Sequence, residues 1–115
     1  MIRKRDAMKV ETREQMRGGT GTIQLRHAFQ ETEFTVPCRL CATLTLPPGA
    51  SIGRHEHRQE EEIYIVLSGS GLLDDGADRK RIEAGDAVLT GNGGAHAVSN
   101  DGDTPLELLA VILRG

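Results

Sequence analysis

The chain has 115 residues, enough for one domain with one buried core and, by default, one site. Its 14 basic and 17 acidic residues leave a formal charge of −3 and are spread along the sequence, so neither a basic stripe for nucleic acid nor an acidic tail stands out. No apolar run approaches the roughly 20 residues of a membrane span, and the opening Met1–Asp6 becomes charged at once, so we expect a cytoplasmic protein with no membrane and no nucleic acid among its partners.

The first 20 or so residues show neither the helical nor the strand period, and Gly18-Gly19-Thr20-Gly21 looks like a flexible joint. We therefore divide the chain into an N-terminal arm, residues 1–21, and a folded domain, residues 22–115; the arm is a candidate for pairing with a second subunit. From Thr22 onward, short runs rich in Val, Ile, Leu and Thr alternate with Gly and Pro, the rhythm of an all-β domain. The pattern predicts strands over Thr22–Phe29, Phe34–Val36, Leu40–Leu46, Ser51–His57, Glu62–Leu67, Gly71–Asp74, Lys80–Glu83, Ala87–Thr90, His96–Asn100 and Leu106–Leu113. Gly- and Asp-rich turns separate them, and no long helix remains. In Leu40–Leu46 the leucines and Ala42 alternate with Cys41, Thr43 and Thr45, so one face packs on a core and the other meets something more polar.

Cys38 and Cys41 form a C-x-x-C pair, but residues three apart on a strand point to opposite faces and no second pair accompanies them. We take them as reduced thiols. Phe29, Phe34 and Tyr64 are the whole aromatic set, which excludes a large stacking site and leaves a pocket walled by aliphatic and polar groups.

Three of the four histidines fall in two short segments. His55 and His57 are two apart, so on a strand they project from one face and can converge on one ion. Glu62 follows across a tight turn, on the face shared with Tyr64 and Val66, within reach of the pair across a hairpin. A fourth ligand must come from another hairpin, and His96, after the Gly91-Asn92-Gly93-Gly94 turn, is the remaining histidine near a strand start in the second half. Imidazole and carboxylate together suit a divalent transition metal. Glu60 and Glu61 read as a solvated acidic edge, and His27 as structural or surface, since no partner is spaced with it. Tyr64 either faces the cavity or fills it.

The spacing Gly49-x5-His55-x-His57-x4-Glu62-x6-Gly69, followed by Gly85-x5-Gly91-x-Gly93-x2-His96-x3-Asn100, resembles the two motifs of the cupins. The first is complete; the second has Gly91 where the family pattern has proline, a change in loop rigidity and not in ligation. The resemblance spans Gly49 to Asn100, and the flanking strands are similar to the rest of a cupin barrel. It implies a double-stranded β-helix, or jelly-roll, barrel over residues 22–115 holding one divalent metal ion, Mn, Fe, Ni, Zn or Co, through His55, His57, Glu62 and His96. Four protein ligands leave open positions for a small oxygen-rich ligand: a carboxylic acid such as oxalate, an enediol or a sugar. Two readings follow. One is a metal-dependent oxidoreductase or dioxygenase, decarboxylase or isomerase, with Tyr64 the candidate catalytic group and Arg54 and Gln59 the other polar groups nearby. The other is a module that binds or senses a small ligand or metal without turning it over. Small single-domain cupins commonly pair, so a homodimer is expected, using the N-terminal arm.

Overall fold

The computed structural model describes residues 1–115 as ten strands: β1 (Lys9–Glu14), β2 (Thr22–Phe29), β3 (Cys38–Leu46), β4 (Ser51–Glu56), β5 (Glu60–Ser68), β6 (Ser70–Asp74), β7 (Arg79–Glu83), β8 (Ala87–Gly91), β9 (Ala95–Ser99) and β10 (Leu106–Arg114). Every pairing is antiparallel. Six strands form one sheet in the order β1-β2-β3-β10-β5-β8, and four form a second in the order β4-β9-β6-β7. The two sheets make the jelly-roll sandwich that the cupin resemblance implies.

Alternation builds the interior. On β3, Ala42, Leu44 and Leu46 are buried, and on β10 so are Leu106, Leu108, Ala110 and Ile112. The register sets Ala42 opposite Ala110 and Leu44 opposite Leu108, so side chains of matched volume fill one layer. Ile23 and Leu25 extend this face, and Ile52, Leu73, Ile82 and Val98 meet it from the smaller sheet. Cys38 is buried and Cys41 half-buried, both as free thiols.

Two expectations are corrected. Phe34–Val36 forms no strand: a 3-10 turn over Glu31–Glu33 precedes it, Pro37 ends it, and Val36 is exposed. Conversely, the arm contains β1, which pairs with β2 from Lys9 opposite His27 to Glu14 opposite Thr22. As an edge strand exposed along most of its length, it carries no apolar alternation to reveal it. His27 has a structural partner there, its Nε2 lying 2.7 Å from Glu11 Oε1. The Gly18–Gly21 segment is packed onto the small sheet instead of hanging free. Thr20 N donates to Ser51 Oγ at 2.9 Å, and a Cβ on Gly19 would lie 2.1 Å from the Ser51 carbonyl oxygen. No helix is long and apolar enough to cross a membrane.

Candidate metal centre

The four residues picked out by spacing meet at one end of the sandwich. Ala50 and Ile52 face the core, so simple alternation along β4 would send His55 and His57 outward. The β4–β9 ladder slips by one residue instead: Ile52 pairs with Val98, and His55 with His96, so Gly53 and Arg54 share one opposing residue. Such a bulge reverses the parity of the strand, and the side chains of both histidines turn inward, His55 within β4 and His57 just past its end. The bulge also supplies a partner, because His55 Nδ1 donates to the Gly53 carbonyl at 2.7 Å. Glu62 reaches the same point from the larger sheet, sharing the buried face of β5 with Tyr64 and Val66.

The inward atoms crowd together. His96 Nε2 lies 3.0 Å from His55 Nε2, 3.1 Å from His57 Nε2 and 2.9 Å from Glu62 Oε1. Glu62 Oε1 is 2.9 Å from His57 Nε2 and 3.6 Å from His55 Nε2. Ligands bound at about 2.1 Å to one ion have neighbours at about 3 Å, a spacing that four of these five separations match, and the four donor atoms all lie within 4.8 Å of one another. The imidazole rings stand edge to face, 71–83° apart, with their centroids 4.6–4.8 Å from one another.

Proton placement says what the cluster lacks. The Gly53 carbonyl and the Glu60 carboxylate can only accept, so His55 and His57, when neutral, carry their protons on Nδ1 and aim Nε2 lone pairs inward. His96 Nδ1 meets the Thr90 hydroxyl at 2.8 Å, a group that can donate or accept. Burial holds the His96 imidazole below its ordinary 6.5 despite the neighbouring Glu62, so it is neutral near pH 7. Burial alone would raise the Glu62 carboxyl; protons that His55 and His96 turn towards it when their rings carry one on Nε2 outweigh burial and bring the group down to about 2. When all three rings are neutral, the result is a buried anion faced by lone pairs, with at most one proton, on His96 Nε2, to share among them. A divalent cation satisfies all four atoms at once. The donor set thus fits a metal ion, and these four side chains can hold one.

The surrounding groups divide into those the sequence disclosed and those it hid. Tyr64 is fully buried and stacks on His96 at 4.9 Å with 7° between the rings. Burial, with the Glu62 charge beside it, pushes its phenol well above the ordinary 10.0, so it stays protonated. Asn100 serves the scaffold: its Nδ2 donates to the carbonyls of Leu46 and Thr104, and its Oδ1 accepts from Gly102 N. Arg54 and Gln59 are exposed. Glu60 is not the solvated residue expected from the acidic run. Its side chain is 14% exposed, and it accepts from His57 Nδ1 at 2.9 Å and from Arg39 at 2.8 and 2.9 Å. Arg39 holds the Glu60 carboxyl down at about 2. Thr90 and Gly53 carried no signal in one dimension, since only the β5–β8 pairing and the bulge bring them to the histidines.

Comparison with known proteins agrees with this geometry. Residues 42–112 match the model of the cupin domain family. The oxalate-binding protein of Thermotoga maritima is 42% identical over 98 residues, 85% of this chain and 81% of the relative. The crystal structure of a predicted oxalate decarboxylase from T. maritima superposes over the whole of both chains with a TM-score of 0.95 and 37% identity. The polyketide cyclase RemF from Streptomyces resistomycificus, at 18% identity, covers 99% of this chain and 80% of its own with a TM-score of 0.76, a likeness of fold alone. By the family match and by its likeness to the T. maritima protein, the chain belongs to the cupins.

Proposed function

We propose that this protein binds one divalent transition metal through His55, His57, Glu62 and His96, and through that metal a small dicarboxylate of the oxalate class. The observation that carries the reading is the convergence of three imidazole nitrogens on one buried carboxylate oxygen. With four protein ligands, an ion of ordinary six-fold coordination would keep two positions, which two oxygens of one small acid could fill. The name of the 42% identical relative supports the choice of oxalate.

Within this reading His55, His57 and His96 supply neutral donors and Glu62 the one anionic donor. The metal, when bound, supplies Lewis-acid attraction for the ligand's oxygens. Tyr64 backs His96 through their stacked rings and keeps water from that side of the ring. A second reading, turnover, draws on the description of the 37% identical structure as a predicted oxalate decarboxylase. In that case Tyr64, a neutral phenol next to Glu62, is our candidate for the catalytic proton carrier.

Calorimetric titration of oxalate into protein loaded with Mn2+, Fe2+, Co2+, Ni2+ or Zn2+ tests the binding reading. Saturable oxalate binding that needs metal and is lost in His96→Ala is expected; equal binding by the metal-free protein would overturn it. Assay of formate and carbon dioxide in the same samples separates binding from decarboxylation. We further propose that the chain acts in the cytoplasm as a homodimer paired through residues 1–21, whose strand β1 lies at a free edge of the larger sheet. A monomeric mass by light scattering, or an unchanged dimer after removal of those residues, would sink that part.

A further inference from the structure

We propose that Glu60, clamped by Arg39, is the positioning residue that fixes the tautomer and ring orientation of His57. The inference rests on the metal reading above only for its consequence in affinity; its geometric part stands alone. Of the three imidazoles, His55 leans on a backbone carbonyl and His96 on a hydroxyl, while His57 alone has a carboxylate behind it. That carboxylate is not free to turn away. Arg39 Nη2 donates to the same oxygen, Oε1, that accepts from His57 Nδ1, and Arg39 Nε donates to Oε2, a two-pronged grip that leaves one orientation.

The backbone is arranged for the same end. His57 N donates to the Gly94 carbonyl and the His57 carbonyl accepts from Gly93 N, both at 2.9 Å, so the main chain of His57 is tied to the loop before His96. Gln59 then adopts φ 56°, a left-handed conformation that side-chain-bearing residues seldom take, and this tight turn returns Glu60 to within reach of the His57 ring. With the main chain pinned by one loop, the remaining freedom of His57 is rotation of its ring, and Glu60 holds that. An acceptor-only partner at Nδ1 puts the proton there and leaves the Nε2 lone pair directed at Glu62 Oε1, 2.9 Å away. Its negative charge also makes the ring a stronger donor than a neutral acceptor would. The chain Arg39–Glu60–His57 thus joins β3 and β5 of the larger sheet to the end of β4 in the smaller one.

The experiment uses the full chain with Glu60→Ala, Glu60→Gln and Arg39→Gln. In metal-free protein at about pH 8, above the ordinary histidine range, long-range proton–nitrogen NMR correlations report which ring nitrogen carries the proton. Wild-type His57 is expected as the Nδ1–H form, and Glu60→Ala as mainly Nε2–H with the other histidines unchanged. Glu60→Gln keeps a carbonyl acceptor and is expected to retain Nδ1–H. Zn2+ affinity, measured by competition with a chromogenic chelator, is expected to fall about 10- to 100-fold in Glu60→Ala, with partial recovery in Glu60→Gln and an intermediate loss in Arg39→Gln. Folded Glu60→Ala protein whose His57 stays Nδ1–H would overturn the proposal, as would Glu60→Gln or Arg39→Gln matching Glu60→Ala in losing the fold. Failure of the wild type to take up Zn2+ would overturn the metal reading instead, and the tautomer spectra would still decide the role of Glu60.

Discussion

Gly53→Ala tests how closely the N-terminal turn governs the histidine cluster. A Cβ at Gly53 would lie 2.1 Å from the Arg17 carbonyl oxygen and 2.9 Å from its carbon, where real Cβ atoms essentially never come within 3.0 Å. The obstacle is backbone, so the turn over Met16–Gly18 or the bulge itself must give way by about 0.9 Å. Forcing an added methyl into a packed site costs about 1–3 kcal/mol. A 115-residue chain unfolds with an entropy of about 0.24 kcal/mol/K, so the midpoint should fall by about 4–12 °C in a thermal melt of metal-free protein. Because the Gly53 carbonyl accepts from His55 Nδ1, the same shift should weaken metal binding. Gly102→Ala, whose nearest neighbour to an added Cβ lies at 3.5 Å, is the control. A Gly53→Ala protein that melts with the wild type and binds metal as tightly would show that the turn does not constrain the bulge.

Three further outcomes follow from the site and the core. Adding a metal at a hundredfold excess over its Kd should stabilise the fold by about 2.7 kcal/mol, about 11 °C in the same melt, and His96→Ala should abolish the increment. Tyr64→Ala removes a fully buried ring from the floor of the cluster; urea unfolding should show a loss of about 3–5 kcal/mol, and a loss under about 1 kcal/mol would mean that the space is refilled. Acidification should unfold the metal-free protein in two stages. His96 titrates below its ordinary 6.5 when folded, so unfolded chains take up that proton first and its contribution is lost as pH falls from 6.5. Glu60 and Glu62, both depressed to about 2, contribute fully above 4.5 and lose their share as pH falls from there towards 2. Stability that rises between pH 6.5 and 5 would contradict the assignment of His96.

The four clustered residues were legible because their spacing obeys the local geometry of hairpins, and the sandwich because β3 and β10 alternate cleanly. What stayed hidden depends on pairing. Strand β1 lies at an edge with most of its side chains in water, so no apolar period betrays it. The bulge at Gly53–Arg54 is visible only in the β4–β9 register; read along the sequence, Ile52 and His55 belong to opposite faces, yet both end up inside. Glu60 was lost in a run of three glutamates, because Arg39, the residue that holds it, is 21 positions away.

The division of the cluster between the two layers has a mechanical consequence. Its three nitrogen donors hang from one layer and its oxygen donor from the other, so an ion held by all four would act as a rivet between the two sheets. Amide exchange should report this as slowed opening concentrated at Ala95–Ser99 and Glu60–Val66, with the edge strand Lys9–Glu14, separated by three strands from Glu60–Ser68 in the larger sheet, little changed.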